Sequence, residues 1–156
     1  MRLLVLAVGT RMPAWVESAF AEYAKRMPHH LPLELVEIRP EPRSGGKAAA
    51  ALCLAEAGRI ARALPAGAMK VALDERGREF SSEAFAKWLG RLSGEGRDLA
   101  FIIGGADGLT PEMKKTADLT LRLSAFTLPH ALARVVLAEQ LYRAVSILQN
   151  HPYHRA

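Results

Sequence analysis

Short unbroken apolar runs alternate along this chain with stretches whose apolar residues recur at helical spacing, and that alternation limits the fold more than any other feature. Residues 2–9 contain the run Leu3-Leu4-Val5-Leu6-Ala7-Val8, apolar at every position, as a strand covered on both faces must be. Pro13 opens a helical segment that places Trp15, Ala19, Phe20, Tyr23 and Met27 on one face and is closed by Pro28. Leu33, Leu35, Val36 and Ile38 predict a second strand. Residues 39–46, Arg-Pro-Glu-Pro-Arg-Ser-Gly-Gly, form a breaker-rich loop, the one stretch suited to a mobile insertion. The alanine-rich stretch 47–63 favours helix. A third strand is expected from Met69 to Leu73, and a helix capped by Ser81 or Ser82 carries Phe85, Trp88, Leu89 and Leu92. A fourth strand spans Leu99 to Ile103, Thr110-Pro111-Glu112 starts a short helix, and Leu119 to Leu123 makes a fifth strand. The longest helix runs from about Ala131 to Gln149. Strands alternating with helices predict an α/β fold: a mostly parallel sheet of five to six strands with helices on both faces. Topology rules alone predict an unknotted doubly wound order.

A chain of 156 residues is expected to form one domain, residues 1–156. At this size it buries roughly two-thirds of its unfolded surface and needs neither disulfide nor metal to fold. The single cysteine, Cys53, points to a reducing compartment and reads as a small buried hydrophobe. The apolar run at residues 3–8 is short and is interrupted by Gly9, Thr10, Arg11 and Pro13, so it reads as a buried strand rather than a signal peptide. No segment approaches the roughly 20 apolar residues that span a bilayer. A cytoplasmic protein without membrane contact is therefore expected. The formal charge of +5, from 21 basic and 16 acidic residues, is compatible with an RNA partner without requiring one. Beyond Asp118 stand Arg122, Arg134, Arg143, Arg155 and three histidines against one acid, Glu139. That end is either a solvated basic surface or a phosphate-facing one.

Four segments can carry chemistry. Ile102-Ile103-Gly104-Gly105-Ala106-Asp107-Gly108 follows a buried strand, where glycines let the backbone approach a ligand. Its spacing matches neither a dinucleotide fingerprint nor a phosphate-binding Walker loop, so alone it reads as a tight turn. Ser124-Ala125-Phe126-Thr127-Leu128-Pro129-His130 offers hydroxyls and amides at another strand end. In the long helix, Leu137, Leu141, Ala144 and Leu148 mark one apolar face, while Leu132, Val135, Val136 and Ile147 widen it. Either a subunit interface or a central core position covers such a helix. Glu139 and Arg143 stand at ion-pair spacing. The tail Asn150-His151-Pro152-Tyr153-His154-Arg155-Ala156 concentrates groups for stacking, proton transfer and phosphate contact. As a chain end it also reads as a frayed polar tail. No metal is expected at His151 and His154, which lack further ligands at metal spacing.

The ordered set of motifs resembles the bacterial ribosomal RNA large subunit methyltransferase H family. It comprises Ala7-Val8-Gly9-Thr10-x-Met12-Pro13-x-Trp15, Ile103-Gly104-Gly105-x-x-Gly108 and Leu123-Ser124-x-x-Thr127-Leu128-Pro129-His130. Arg134 with Glu139-Gln140-Leu141-Tyr142-Arg143-Ala144, and Asn150-His151-Pro152-Tyr153-His154, complete it. The likeness covers essentially the whole chain. It implies the SPOUT class, a C-terminal trefoil knot, a homodimer, and S-adenosylmethionine held in the knot. It also implies the substrate, a pseudouridine in helix 69 of 23S rRNA on the ribosome, methylated at N3. The cofactor residues carried over are Leu73, Gly105, Ser124, Ala125, Phe126, Thr127, Leu128 and Pro129, with Phe126 standing where relatives often have a smaller or more flexible apolar residue. A β-carbon at Gly105 is expected to intrude on the cofactor without unfolding the chain. His154 is the implied base or proton relay, Arg143 the group that stabilises the anion, Glu139 the residue that orients Arg143, and Tyr153 a stacking platform. Two other readings stay open from the residues alone: a doubly wound enzyme acting on a small metabolite, and a non-catalytic RNA- or ribosome-binding module.

Overall fold

The computed structural model describes residues 1–155. Five strands, β1 (Leu3–Val8), β2 (Leu33–Ile38), β3 (Met69–Glu79), β4 (Leu99–Ile103) and β5 (Leu119–Arg122), form one sheet in the order β2-β1-β4-β3-β5. Every neighbouring pair is parallel. The helices are α1 (Ala14–Ala24), α2 (Ala49–Ala63), α3 (Ser82–Ser93), α4 (Pro111–Thr116) and α5 (His130–Leu148), and a 3-10 turn (Pro152–Arg155) follows. Alternate residues of β1 feed two cores. Leu3, Val5 and Ala7 pack with α1, α3 and α5, while Leu4, Leu6 and Val8 pack with α2 and the start of α4. An apolar run without alternation is what this two-sided burial requires. The Ser81 hydroxyl accepts from the Ala84 amide at 3.1 Å and caps α3, and Thr110 caps α4 the same way through Met113 at 3.1 Å.

Three details depart from the sequence-based expectations. Trp15 is 57% exposed, and the buried residues of α1 are Val16 and Phe20. The apolar stripe is therefore set one residue, about 100° of rotation, from the face that includes Trp15. Leu148, counted on the apolar face of α5, is 47% exposed because it falls on the last helical residue. Strand β3 continues six residues past Leu73, through Asp-Glu-Arg-Gly-Arg-Glu. Its pairing with β5 shifts register between Leu73 and Arg78. That extension is polar and edge-like, so it carries no apolar-run signature. Gly77 makes it possible, because a β-carbon there would lie 2.6 Å from the Leu121 carbonyl carbon.

Strand order places the carboxyl ends of β3, β4 and β5 side by side. The loops leaving them therefore converge, and in open parallel sheets that is where ligands bind.

Candidate active site

A cavity of about 500 Å³ opens at those three strand ends, a size suited to a small-molecule ligand. Strand β3 contributes Leu73, Asp74 and Glu75, where its register with β5 shifts. The turn after β4 contributes Ile103 to Gly108, and the segment after β5 contributes Leu121 to Ser124 and Phe126 to His130. Leu73, Gly105, Ser124, Phe126, Thr127, Leu128 and Pro129 all line it. Ala125 does not line it. The Phe126 amide donates to the Ser124 hydroxyl at 3.0 Å, and the tight turn this closes leaves Ala125 exposed on the outside. Phe126 itself is 84% exposed at the rim. Lys114 pairs with Asp74 at 3.3 Å along one wall.

The glycine turn is shaped by its own contacts. The Gly108 amide donates to the Gly105 carbonyl at 3.0 Å, and Gly108 adopts φ +76°. A β-carbon on Gly104 would lie 2.6 Å from the Gly108 carbonyl carbon, so the turn closes only around glycine. At Gly105 the missing β-carbon faces Val8 at 3.0 Å and the Glu56 carboxylate at 3.5 Å, not the cavity. Gly105 therefore presents only its backbone to the cavity. A valine there presses on the sheet, which removes the expectation that such a variant blocks ligand and spares the fold.

A second cavity, of about 610 Å³, lies at the other end of α5. Ser82, Glu83, Ala86 and Lys87 of α3 face Gln140, Arg143, Ile147 and Leu148 of α5 across it, and His154 closes it. The tail is docked here rather than frayed. The His151 amide donates to the Ser146 carbonyl at 2.8 Å, and Asn150 takes φ +56° to turn the chain back. The Tyr153 hydroxyl then donates to Glu139 at 2.9 Å. Arg143 donates to the same carboxylate oxygen through Nε at 2.9 Å and Nη2 at 2.6 Å, and its guanidinium lies 5.1 Å from the Tyr153 ring centre. Tyr142 meets Tyr153 edge-on at 4.7 Å. Burial, joined by Tyr23 and the Glu139 carboxylate, holds the Tyr153 phenol well above its ordinary pKa, so it stays a donor. The Glu139 hydrogen bonds raise Arg143 further still. The Nδ1 atom of His154 is buried and has no hydrogen-bond partner, an unusual state for an imidazole nitrogen. The last tail residue, Ala156, lies outside the described residues.

Glu139, Arg143, Tyr153 and His154 are thus brought together, but away from the first cavity. His130 at the start of α5 lines one cavity and Arg143 the other. Thirteen helical steps separate them, roughly 20 Å at the α-helical rise.

The sequence reading assigned no role to a further set of charges, of which Arg134 and Glu56 are buried. Arg134 is fully buried, donating to Glu37 at 2.9 Å and to the Gly9 carbonyl at 2.7 Å. It ties α5 to the end of β1. An arginine between Ala133 and Val135 is visible in the sequence, but Glu37, 97 positions away, is not a partner that spacing can name. Glu56, 2% exposed, and Arg43 sit behind the glycine turn. No group of three or more His, Cys, Asp or Glu residues arranged to hold a metal occurs among the described residues. Nor is any described helix long and apolar enough to cross a membrane.

Comparison with known proteins adds to this geometry. A family described as predicted SPOUT methyltransferases matches residues 1–154. The ribosomal RNA large subunit methyltransferase H of Burkholderia multivorans is 60% identical over 156 residues, covering all of both chains. That of Burkholderia vietnamiensis is 59% identical over the same span. Among solved structures, a probable methyltransferase from Bordetella pertussis Tohama I superposes with a TM-score of 0.58 at 22% identity, over 92% of this chain and 95% of that one. A probable methylase family protein from Haemophilus influenzae Rd KW20 gives 0.58 at 16% identity, over 97% of this chain and 69% of that one. At these identities the solved structures bear on the fold alone.

Proposed function

This chain belongs to the SPOUT methyltransferase family, and we propose that it transfers a methyl group from S-adenosylmethionine to N3 of a pseudouridine in helix 69 of 23S rRNA. The observation that carries the substrate is the 60% identity, from end to end, to a relative named as a ribosomal RNA large subunit methyltransferase. The cavity at the ends of β3, β4 and β5 suits the cofactor. It combines apolar walls, Leu73 and Leu128, with a glycine-rich turn that brings backbone to the cavity, and with the acids Asp74, Glu75 and Asp107. The family also implies that the segment around 124–129 is threaded as a knot. The whole chain then acts as one catalytic domain, in the cytoplasm where ribosomes are.

When bound, S-adenosylmethionine supplies an electrophilic methyl on a sulfonium. What the protein must add is alignment and removal of one proton, because N3 of the base carries an imide N–H. His154 takes that proton. The residue lines the second cavity, and its buried Nδ1 has no hydrogen-bond partner to fix the tautomer of the ring. Arg143 stabilises the negative charge left on the base, and Glu139 fixes the guanidinium from below. Tyr153, held by the same carboxylate, offers a ring face to a base turned out of its stack. Because these groups lie roughly 20 Å along α5 from the cofactor cavity of their own chain, the reading requires that they serve the cavity of a second protomer in a homodimer.

The test is transfer of labelled methyl groups from S-adenosylmethionine to ribosomes lacking the modification. Label at N3 of the helix 69 pseudouridine is expected. Label elsewhere in the RNA would keep the enzyme class and discard the site, while binding to ribosomes without transfer would favour a non-catalytic module.

A further inference from the structure

We infer that Arg43, on the loop between β2 and α2, is a positioning residue for the cofactor-facing turn, holding Gly104–Gly108 in shape by bridging buried Glu56 to Asp107. The inference rests on the proposed reading that the cavity at the strand ends holds S-adenosylmethionine.

Arg43 reaches both acids. Its Nη1 donates to Glu56 at 2.5 Å, its Nη2 to the other Glu56 oxygen at 3.3 Å, and Nη2 also lies 3.2 Å from Asp107. Asp107 lines the cavity, whereas Glu56 stands behind it, against the hydrogen face of Gly105. The Glu41 amide adds a bond to Glu56 at 3.0 Å, and Arg43 Nη1 donates back to the Glu41 carbonyl at 2.7 Å. The Cys53 thiol donates towards the Asp107 and Gly108 carbonyls at 3.5 and 3.6 Å. The loop is itself anchored, since the Glu41 carboxylate pairs with Arg59 and with Lys47.

Two considerations make this more than a stabilising ion pair. Glu56 is 2% exposed while the Arg43 side chain is 32% exposed, and a carboxylate taken out of water is costly, so its presence here asks for another use. The turn also has little to hold it from within. Its ladder consists of the isolated Gly105–Gly108 bridge, and three of its five residues are glycine. Glycine-rich backbone is costly to order, so its conformation must be imposed from outside. The planar fork of one guanidinium can reach two carboxylates in fixed directions, which a lysine cannot do. Arg43 thus joins the 39–46 loop, α2 and the cofactor wall at one point.

Calorimetric titration with S-adenosylmethionine tests this on wild type, Arg43→Met, Asp107→Asn and the double variant. Each single change is expected to weaken binding about tenfold, the scale on which residues along a coupled network act. The double variant is expected to lie within about twofold of either single change, because both cut the same link. Turnover at saturating cofactor should fall much less than affinity does. Adding Glu56→Gln to Arg43→Met is expected to restore melting temperature by removing the unpaired buried charge, yet leave binding weak. A role in stability alone would restore both. Hydrogen exchange at residues 104–109 of the unliganded protein should quicken in Arg43→Met. Wild-type affinity in folded Arg43→Met, or effects of the two single changes that multiply, would overturn the inference. If wild type itself binds no S-adenosylmethionine, the proposed function fails first. The exchange rates then decide alone, and unchanged protection of the turn rejects the role of Arg43.

Discussion

Glu139 accepts hydrogen bonds from three side chains at once, Arg143 and Tyr153 on one oxygen and Gln140 on the other at 2.7 Å. Gln140 in turn accepts from Ser82 at 2.6 Å, so the carboxylate links α3, α5 and the tail. Glu139→Gln keeps the shape and removes the charge that both Arg143 and Tyr153 require. Turnover on ribosomes is expected to fall tenfold or more, since hydrogen bonds to a charged group are worth about 1.5–3 kcal/mol. Cofactor affinity should stay at the wild-type value, and a matching loss of affinity would show that the two cavities are not separate. Tyr153 gives a pH test. Its folded pKa is raised, so its contribution to stability is complete below the ordinary tyrosine value of about 10 and is lost as pH climbs through the higher folded value. In an ultraviolet titration of Tyr23, Tyr142 and Tyr153, one phenol should ionise later than a free tyrosine, and Glu139→Gln should bring it down. Three phenols titrating together at the ordinary value would mean that the tail is not docked in solution.

At the scale of elements, β3 shapes the cavity at the strand ends, where the proposed function puts S-adenosylmethionine. Its polar continuation pairs with Leu121 and Arg122, and that pairing sets where the 123–129 segment departs. Gly77→Ala would put a β-carbon 2.6 Å from backbone, which cannot yield as a flexible side chain would. We expect a loss of about 2 kcal/mol in chemical denaturation, the usual scale for overpacking, together with weakened S-adenosylmethionine binding. Full affinity in this variant would mean that β5 adjusts without disturbing the loop after it. The same strand shows what the sequence could reveal. Leu99 to Ile103 and the β1 run were legible because burial on both faces leaves nothing but apolar residues. The β3 extension was not, since Asp-Glu-Arg-Gly-Arg-Glu is paired by backbone alone and its one steric demand, Gly77, concerns a strand 44 positions further on. The loops that line the first cavity were legible through glycine and proline. Arg43, Glu56 and Arg134 were not, because nothing in local spacing announces an ion pair closed by tertiary structure. Trp15 misled for a related reason: an aromatic at helical spacing predicts a buried stripe, and only packing fixes which neighbouring phase is buried.

At the scale of the molecule, the two cavities sit towards opposite ends of α5, and the proposed function requires a second chain to bring them together. The first cavity opens near His130, and the Arg143–Tyr153–His154 cluster lies past the helix middle. Leu132, Val135 and Val136 on α5 are left only half-buried, and Trp15 is exposed. These apolar surfaces are available to a second copy, which by two-fold symmetry would bring each tail towards the other chain's cavity. Complementation tests the arrangement without any structure of the dimer. His154→Ala spares the cofactor cavity and removes the proposed base. Thr127→Trp fills the cavity from an exposed loop position and spares the tail. Each protein alone is expected to be inactive in methyl transfer to ribosomes. After subunit exchange at equal amounts, half of the dimers are mixed, and each mixed dimer has one of its two sites built entirely from intact parts. Activity should therefore recover to about a quarter of the wild-type value. If cavity and tail served each other within one chain, every site in the mixture would keep a defect and no activity would return. A monomeric mass by light scattering at high micromolar concentration would be as damaging, because it would leave the base roughly 20 Å from the methyl group it is meant to serve.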